Sequence, residues 1–204
     1  MFTGIVQAVG KIEKLEPLAQ GVRLTIRSAG LDLSDVSLGD SIAANGVCLT
    51  VISKAGNDGY QVDVSRETLN CTEGLGVEGG ELNLEKAMRL NDQIGGHLVS
   101  GHVDGVGTVV AFDPVGECYL LRIKAPLSIA KYIAYKGSMT VNGVSLTVNS
   151  VEHDEFTINL IPHTLEATTL KHLKAGSKVN LEVDLIARYV ERMMDFEGKT
   201  KGQD

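Results

Sequence analysis

The chain has 204 residues with 19 basic and 26 acidic side chains, which gives a formal net charge of −7. An acidic chain without a basic stripe offers a phosphate backbone little to bind, so the composition argues against nucleic-acid binding. The three cysteines, Cys48, Cys71 and Cys118, lack metal-ligand spacing and no stretch reaches the ~18 apolar residues of a membrane span, which predicts a soluble cytoplasmic protein with free thiols.

Short strands are predicted along the first half of the chain. Apolar residues there follow a period of two or form short runs, at 9–15, 22–26, 41–44, 47–53, 60–64 and 81–85. Glycine turns separate these runs, for example at 45–46 and 56–59. Several short strands joined by tight turns, with no long amphipathic helix between them, predict an antiparallel β-barrel.

The end of the chain has a different period. Apolar residues there recur at spacings of three and four, which predicts an amphipathic helix containing Leu185, Ile186, Tyr189, Val190, Met193, Met194 and Phe196. The apolar face of this helix either packs on the barrels of its own chain or forms a seam with copies of itself.

The chain repeats itself at an offset of 97 residues. The heptapeptide Asn-Gly-Val-Cys-Leu-Thr-Val at 45–51 returns as Asn-Gly-Val-Ser-Leu-Thr-Val at 142–148, and 3–10 aligns with 100–107. Solenoid and propeller repeats run to roughly 50 residues, whereas this period is the size of a small domain. We therefore predict two tandem barrels of one fold at 1–97 and 98–184, followed by a helix and tail at 185–204.

Polar identity changes at matched positions while the apolar frame is kept. At the offset of 97 the pairs are Cys48 and Ser145, Ile5 and His102, and Gln7 and Asp104. A one-residue slip in the turn at 56–59 changes the offset to 96, which gives the pairs Asp63 and Asn159, Arg66 and Pro162, and Glu67 and His163. One interpretation is drift between two structural copies, because duplicated domains need not keep two sites. The other is a pair of similar pockets that carry different chemical groups.

Two histidines, His97 and His102, lie five residues apart. A metal site is weakly supported, because an odd spacing on a strand points side chains to opposite faces and no cluster of cysteines or carboxylates completes the ligand set. We interpret His97 as a structural histidine. His102 is a candidate for acid/base or hydrogen-bonding work.

Three further positions keep two interpretations each. Cys48 and Ser145 are either candidate nucleophiles or small side chains buried in a strand. Lys136 is either a solvated turn residue or a single charge placed over a pocket.

Four motifs together resemble riboflavin synthase of the alpha-subunit type, over about residues 1–190. They are Met-Phe-Thr-Gly-Ile-Val at 1–6, the two Asn-Gly-Val heptapeptides, Ile-Gly-Gly-His-Leu-Val-Ser-Gly-His at 94–102 and Ile-Pro-His-Thr-Leu-Glu at 161–166. The resemblance implies two six-stranded antiparallel Greek-key barrels and a C-terminal helix through which three chains join. In the implied reaction, two molecules of 6,7-dimethyl-8-ribityllumazine exchange a four-carbon unit and give riboflavin and 5-amino-6-ribitylaminouracil. The family uses no metal or redox cofactor.

The resemblance also assigns substrate-binding residues, with one active site between the first barrel of one chain and the second barrel of a neighbour. In this chain the first pocket is expected to contain Gly4, Ile5, Val6, Cys48, Leu49, Thr50, Asp63, Val64, Ser65, Arg66, Glu67 and Thr68. The second is expected to contain Gly101, His102, Val103, Lys136, Ser145, Leu146, Thr147, Asn159, Leu160, Ile161, Pro162, His163 and Thr164.

Five residues are the candidates for chemistry. His102 is expected to transfer a proton and Ser145 to activate water or to add to the ring, because the reaction needs an acid/base group and a nucleophile. Phe2 and Cys48 are expected to come from the first barrel's side, and Asp184 to orient the nucleophile. Which barrel holds the donor remains open, as does enclosure of the trimer in a lumazine synthase shell. The alternative function is that of a non-catalytic antenna protein, which binds lumazine or flavin on the same fold.

Overall fold

The computed structural model describes the backbone of residues 1–28 and 30–200, and the side chains of this part as far as residue 196. Two groups of strands follow one another, and a long helix comes after them. The predicted fold class, two antiparallel barrels in tandem with a C-terminal helix, is confirmed. The predicted tail at 201–204 lies outside the described residues. No helix within the described part is long and apolar enough to cross a membrane.

The first half forms a closed barrel. Its elements are β1 (Ala8–Leu18), β2 (Gly21–Arg27), β3 (Ser41–Ala44), β4 (Val47–Lys54), β5 (Gly59–Ser65), α1 (Arg66–Cys71) and β6 (Glu81–Lys86). The strands follow in the order β1-β2-β5-β4-β3-β6, and β1 pairs with β6 to close the barrel. Every pairing is antiparallel, and closure leaves no unpaired sheet edge.

The second half repeats this topology with one interruption. Its elements are β7 (Gly105–Val115), β8 (Cys118–Lys124), α2 (Leu127–Ala130), β9 (Ser138–Val141), β10 (Val144–Thr147), β11 (Ser150–Glu152), β12 (Glu155–Leu160), α3 (Pro162–Ala167), a 3-10 helix (Thr169–His172), β13 (Lys178–Val183) and α4 (Leu185–Thr200). The sheet order is β10-β9-β13-β7-β8-β12-β11. Together β10 and β11 correspond to β4. The break between β10 and β11 falls where β4 has a register shift, between Val51 and Ser53. In both copies the chain changes there from pairing with one neighbouring strand to pairing with the other.

Each barrel encloses an apolar core built from matched positions. Leu24, Ile26, Leu82 and Leu84 in the first copy correspond to Leu121, Ile123, Val179 and Leu181 in the second, and all are fully buried. Burying one such side chain stabilises the fold by about 2 kcal/mol. Because these residues point inward, their strand neighbours point to the outer face of each barrel, where Asn83 and Asn180 are buried between the two barrels.

The two Asn-Gly turns meet between the barrels. Asn45 and Asn142 both have a φ of 48°, and Gly46 and Gly143 have φ of 80° and 78°, as two-residue type I′ hairpins require. A Cβ atom on Gly46 would lie 2.8 Å from the backbone N of Gly143, and one on Gly143 would lie 2.6 Å from the N of Gly46. Glycine is therefore required at both positions by the close approach of the two turns.

Asparagines of the last strand in each copy complete this contact. Asn83 Nδ2 donates to the carbonyl of Asn142 at 2.9 Å, and Asn180 Nδ2 donates to the carbonyl of Asn45 at 3.0 Å. The side-chain Oδ1 atoms of Asn45 and Asn142 accept the N–H groups of Asn83 and Asn180, each at 2.8 Å. We call the residues 45, 46, 83, 142, 143 and 180 the Asn-Gly clasp. It relates the two barrels by an approximate two-fold axis.

Candidate active site

Each copy begins with a short segment that crosses onto the other barrel. The first start segment, 2–6, lies on β10, where the carbonyl of Gly4 accepts the N–H of Ser145 at 2.7 Å. The second start segment, 99–103, lies on β4, where the carbonyl of Gly101 accepts the N–H of Cys48 at 2.8 Å. We call the outer face of β4 with the second start segment the first pocket, and the outer face of β10 with the first start segment the second pocket.

This exchange corrects the predicted grouping of the pocket residues. The resemblance predicts that residues 4–6 lie with Cys48 and that residues 101–103 lie with Ser145. In the structure Val6 packs against the second core and Val103 against the first. The physical reason is an antiparallel bridge between Phe2 and Val99, which holds both start segments side by side between the barrels.

The start segments approach the pocket strands so closely that they require glycine. Gly4 and Gly101 have φ of 76° and 79°. A Cβ atom on Gly4 would lie 2.6 Å from Ser145 Cβ, and one on Gly101 would lie 2.7 Å from Cys48 Cβ. Any other residue at these positions would be strained and would push the start segment away from the strand.

A buried glutamate in the last strand of each copy holds the start segment of that copy. Glu85 accepts hydrogen bonds from the N–H and hydroxyl of Thr3, both at 2.7 Å, and from the Gly4 N–H at 3.0 Å. Glu182 accepts in the same way from Ser100, Gly101 and His102. Burial raises the pKa of Glu85, and the hydrogen bonds from Thr3 and Gly4 oppose this rise.

His97 contacts the hydroxyl of Ser145, with 2.7 Å between His97 Nδ1 and Ser145 Oγ. The linker between the barrels brings the imidazole there, because the His97 N–H donates to the Thr3 carbonyl at 3.1 Å. The preceding Gly96 leaves the necessary space, since a Cβ atom on it would lie 2.1 Å from the Thr3 carbonyl oxygen. Cys48, the counterpart of Ser145, has no histidine among its hydrogen-bond partners within the described residues.

The surroundings of His97 favour its neutral form. Burial lowers the pKa of His97, while the charges of Asp184 and Glu182 act in the opposite direction. A neutral imidazole within 2.7 Å of a hydroxyl can accept the proton of that hydroxyl. The sequence predicts only a structural role for His97. The sequence feature that points to its contact with Ser145 is the Gly95-Gly96 pair directly before His97 in the linker.

Two comparisons with known proteins identify the family, and the first of them reproduces the repeat seen in the structure. A family model described as lumazine binding domain matches twice, at residues 3–87 and 100–184. Riboflavin synthase of Mycobacterium bovis is 46% identical over 203 residues, which is 97% of this chain and 100% of that protein. The chain belongs to the riboflavin synthase family.

Other relatives agree with this assignment, and solved structures share the fold. Riboflavin synthase of Photobacterium phosphoreum is 46% identical over 195 residues, or 95% of this chain and 89% of that protein, and the Bacillus subtilis enzyme is 41% identical over 204 residues, or 100% and 94%. The structure of LumP with bound riboflavin superposes with a TM-score of 0.80 at 29% identity and covers 90% of this chain and 99% of LumP. LumP has also been solved with 6,7-dimethyl-8-(1'-D-ribityl) lumazine, and that structure gives a TM-score of 0.78.

The remaining predicted pocket residues fall into two groups, according to whether their side chains face the core or the outside of the barrel. Leu49, Val64 and Leu160 are buried in the two cores, and Leu146 packs against the second core. Outward-facing, exposed residues border the pockets at Thr50, Asp63, Ser65, Thr147 and Asn159. Asp63 is engaged in a two-point ion pair with Arg23 at 2.8 and 2.9 Å, which lowers its pKa.

A short helix stands at the same place beside each pocket. In α1, Ser65 caps the N-terminus by accepting the N–H of Thr68, and Arg66 and Glu67 form the first turn. In α3, Ile161 takes the capping position without a side-chain bond, followed by Pro162, His163 and Thr164. His163 and Glu67 are both exposed, so the difference between them changes the charge at the rim of the second pocket.

Lys136 occupies a strained turn beside the second pocket. Its φ is 61°, and its N–H donates to the Val148 carbonyl at 2.8 Å. The matched position in the first copy is Gly39, which makes the same bond to Val51 at 2.9 Å. Glycine adopts this conformation without strain, whereas lysine does so at a cost of about 1 kcal/mol. The amine of this lysine lies over the ring of Tyr135, with 5.4 Å between Nζ and the ring centroid.

The three other candidates for chemistry lie in different environments. Phe2 is fully buried between the barrels with Val99 and Ala43, so its ring supports the first pocket from behind. His102 is exposed at the rim of the first pocket. Asp184 accepts the N–H of Ile186 at 3.0 Å at the start of α4, and its charge acts on His97. Within the described residues no group of three or more histidine, cysteine or acidic side chains is arranged to hold a metal ion.

A cavity of about 580 Å³ lies beside the first start segment, bordered among others by Ile5, Gln7 and Ser41. Asp35 pairs there with Lys86 at 2.8 Å and with Arg89 at 3.0 Å. Both basic side chains of the cavity lining are thus paired with Asp35, and Cys48 and Ser145 are not among the lining residues.

Proposed function

We propose that the protein is a riboflavin synthase that converts two molecules of 6,7-dimethyl-8-ribityllumazine into riboflavin and 5-amino-6-ribitylaminouracil. One lumazine gives up a four-carbon unit and the other receives it. The proposal combines membership of the riboflavin synthase family with the arrangement of the two pockets. We also propose that the enzyme works in the cytoplasm, where Cys48, Cys71 and Cys118 stay reduced as free thiols.

The observation that carries the proposal is the pair of pockets with matched frames and unmatched polar groups. A reaction between two copies of one molecule needs two sites of similar shape, and holding both reactants in place removes most of the entropic cost of their encounter. Giving and receiving the unit are different chemical tasks. The second pocket has a hydroxyl in contact with His97, and an amine, where the first has a thiol and a glycine. The first pocket has the exposed imidazole of His102 where the second has Ile5.

In the second pocket we assign the addition step to Ser145 and His97. As Ser145 Oγ adds to the lumazine ring, or activates water that does so, His97 accepts the proton of the hydroxyl. Lys136 would place a positive charge where the ring develops negative charge. The 7-methyl group of the other lumazine must lose a proton to become a carbanion, and the exposed His102 at the first pocket is our candidate acceptor.

A complete active site is proposed to need more than one chain. Both pockets are open on the outer faces of their barrels, and α4 exposes Ile186, Tyr189 and Met193, each about two-thirds exposed, away from its own barrel. An apolar helix face of this kind favours the second of the two alternatives for α4, a seam with copies of itself. We propose a homotrimer joined through α4, in which the first pocket of one chain faces the second pocket of its neighbour.

The test is conversion of the lumazine by the purified protein. We expect riboflavin to appear, detected by its absorbance and fluorescence, in the presence of a metal chelator. One riboflavin should form for every two lumazines consumed, with one molecule of the aminouracil. Tight binding of the lumazine without any riboflavin would overturn the proposal in favour of a carrier similar to LumP.

A further inference from the structure

Arg188, in the first turn of α4, joins the C-terminal helix to the second start segment. Its Nη2 atom donates to Asp104 Oδ2 at 2.7 Å and to the carbonyl of His102 at 3.2 Å. The carboxylate of Asp104 is largely buried, with 11% of its side chain exposed, and it also accepts the N–H of Val183 at 2.8 Å. Arg188 therefore contacts both the backbone of the first pocket and a charge behind it.

The matched position in the first copy has no charge. Gln7 Oε1 accepts the N–H of Lys86 at 2.9 Å, which is the same bond as that from Val183 to Asp104. The fold thus needs only a hydrogen-bond acceptor at this position, and a neutral amide supplies it. A buried carboxylate is costly unless it is paired, so Asp104 is explained by its pairing with Arg188.

The segment that Arg188 holds forms one wall of the first pocket. Gly101 bonds to Cys48 and Val103 packs against the first core, so a shift of this segment would move the wall. Glu182 fixes the beginning of the segment through three N–H groups. Arg188 fixes its end at His102 and Asp104.

We propose that Arg188 is a positioning residue for the reaction: it couples α4 to His102–Asp104 and so sets the geometry of the first pocket from the helix. The proposal rests on the proposed function. On this proposal, the packing of α4 affects the geometry of the first pocket, although the candidate residues Cys48 and His102 lie outside the helix.

The helix has a second anchor that makes this proposal testable. Glu191, one turn further along α4, bonds to Lys131 and Tyr132 at the end of α2. Loss of Arg188 therefore leaves α4 attached to the second barrel. An effect of the substitution on turnover is then separable from loss of the helix.

The experiment compares two single variants, Arg188→Met and Arg188→Lys, with a double variant that combines Arg188→Met and Asp104→Asn. The matched control is Arg192→Met, at an exposed position of the same helix. We expect Arg188→Met to lower kcat about tenfold and to change KM less than about threefold, because both substrates still bind but are misaligned. Arg188→Lys should recover more than about half of kcat, since lysine restores the charge and one hydrogen bond. Arg192→Met should match the parent.

The double variant separates positioning from stability. Asp104→Asn replaces the buried charge with a neutral amide and keeps an acceptor for the Val183 N–H, as in the first copy. The midpoint of urea unfolding should therefore recover while kcat stays low. Recovery of both together, or a kcat for Arg188→Met within about twofold of the parent, would overturn the proposal.

A second measurement keeps the inference independent of turnover. Amide hydrogen exchange at 100–104 should be faster in Arg188→Met than in the parent, with no change in the Asn-Gly clasp. If the unmodified protein makes no riboflavin, the proposed function fails but this comparison still decides the coupling. Unchanged exchange at 100–104 would overturn it.

Discussion

At the scale of single residues, the two histidines of the Gly-Gly-His-Leu-Val-Ser-Gly-His motif have different environments. His97 is half-buried against the Ser145 hydroxyl, and His102 is exposed at the other pocket. Burial is the main cause of the lowered pKa of His97, which ordinarily lies at 6.5. The neutral, proton-accepting form of His97 therefore persists at pH values where a solvated histidine is already protonated.

This difference predicts the pH dependence of the reaction. As the pH falls through the pKa of His97, the ring gains a proton and can no longer accept one from Ser145, so kcat/KM should fall with a midpoint below 6.5. His97→Asn should lower kcat about a hundredfold and remove this acid limb. His102→Asn should lower activity but keep the limb. Rate profiles from about pH 5 to 8 check the prediction, and a limb that disappears only in His102→Asn would contradict it.

At the scale of elements, the repeated heptapeptide serves the contact between the barrels as much as the pockets. Its Asn-Gly pair forms the hairpin between the third and fourth strands of each copy, and the two hairpins touch. Two positions of each heptapeptide border a pocket. They are Cys48 and Thr50 in the first copy, and Ser145 and Thr147 in the second. The motif therefore combines an interface requirement with a chemical one.

A side chain at the clasp should separate the barrels. Gly46→Ala adds a Cβ atom 2.8 Å from the backbone of Gly143 in addition to the strain of its positive φ, so we expect a loss of about 3 kcal/mol in the free energy of unfolding. The matched control is Gly176→Ala, which has a φ of 88° and nothing within 4 Å of the added atom. It should cost about 1 kcal/mol. Urea unfolding measures both, and equal losses would show that the contact between the turns contributes nothing.

At the scale of the whole molecule, α4 is held on its own barrel by polar contacts and exposes its apolar side. Arg188 and Glu191 supply those contacts, while Ile186, Tyr189 and Met193 remain exposed. This division suits a helix that is first positioned by its own chain and then packed by its copies.

Removal of the helix should separate the chains. A variant that ends at Asp184 is expected to sediment as a monomer, because the apolar seam is gone, while the two cores stay intact. Its turnover should fall well beyond the about tenfold loss expected for Arg188→Met alone, since the proposed facing pockets then meet only by diffusion. Sedimentation velocity and the riboflavin assay measure the two effects. A monomer with full activity would contradict the need for a second chain.

Much of this architecture was predictable from the sequence. Each feature that was not predictable has a physical reason. The runs at 41–44, 47–53, 60–64 and 81–85 each coincide with a strand to within one residue at either end, because alternating or short apolar runs bounded by turn residues are typical of strands. An offset of 97 identifies which residues correspond, but not which barrel each one contacts, so the exchange of Gly4 and Gly101 escaped it. His97 escaped because it lies in the linker. The boundary between domains at residues 97 and 98 stays a prediction.

The arrangement of the barrels suggests how one chain came to hold two unequal sites. The Asn-Gly clasp and the crossed start segments have the symmetry of a dimer of identical subunits, which a gene duplication would have fused into a single polypeptide. In an ancestral dimer both sites would necessarily be the same. The linker that joins the two copies lies against the second site, where it supplies Gly96 and His97. The linker therefore distinguishes the two sites of the present chain independently of the residues in either barrel, because its His97 lies against Ser145.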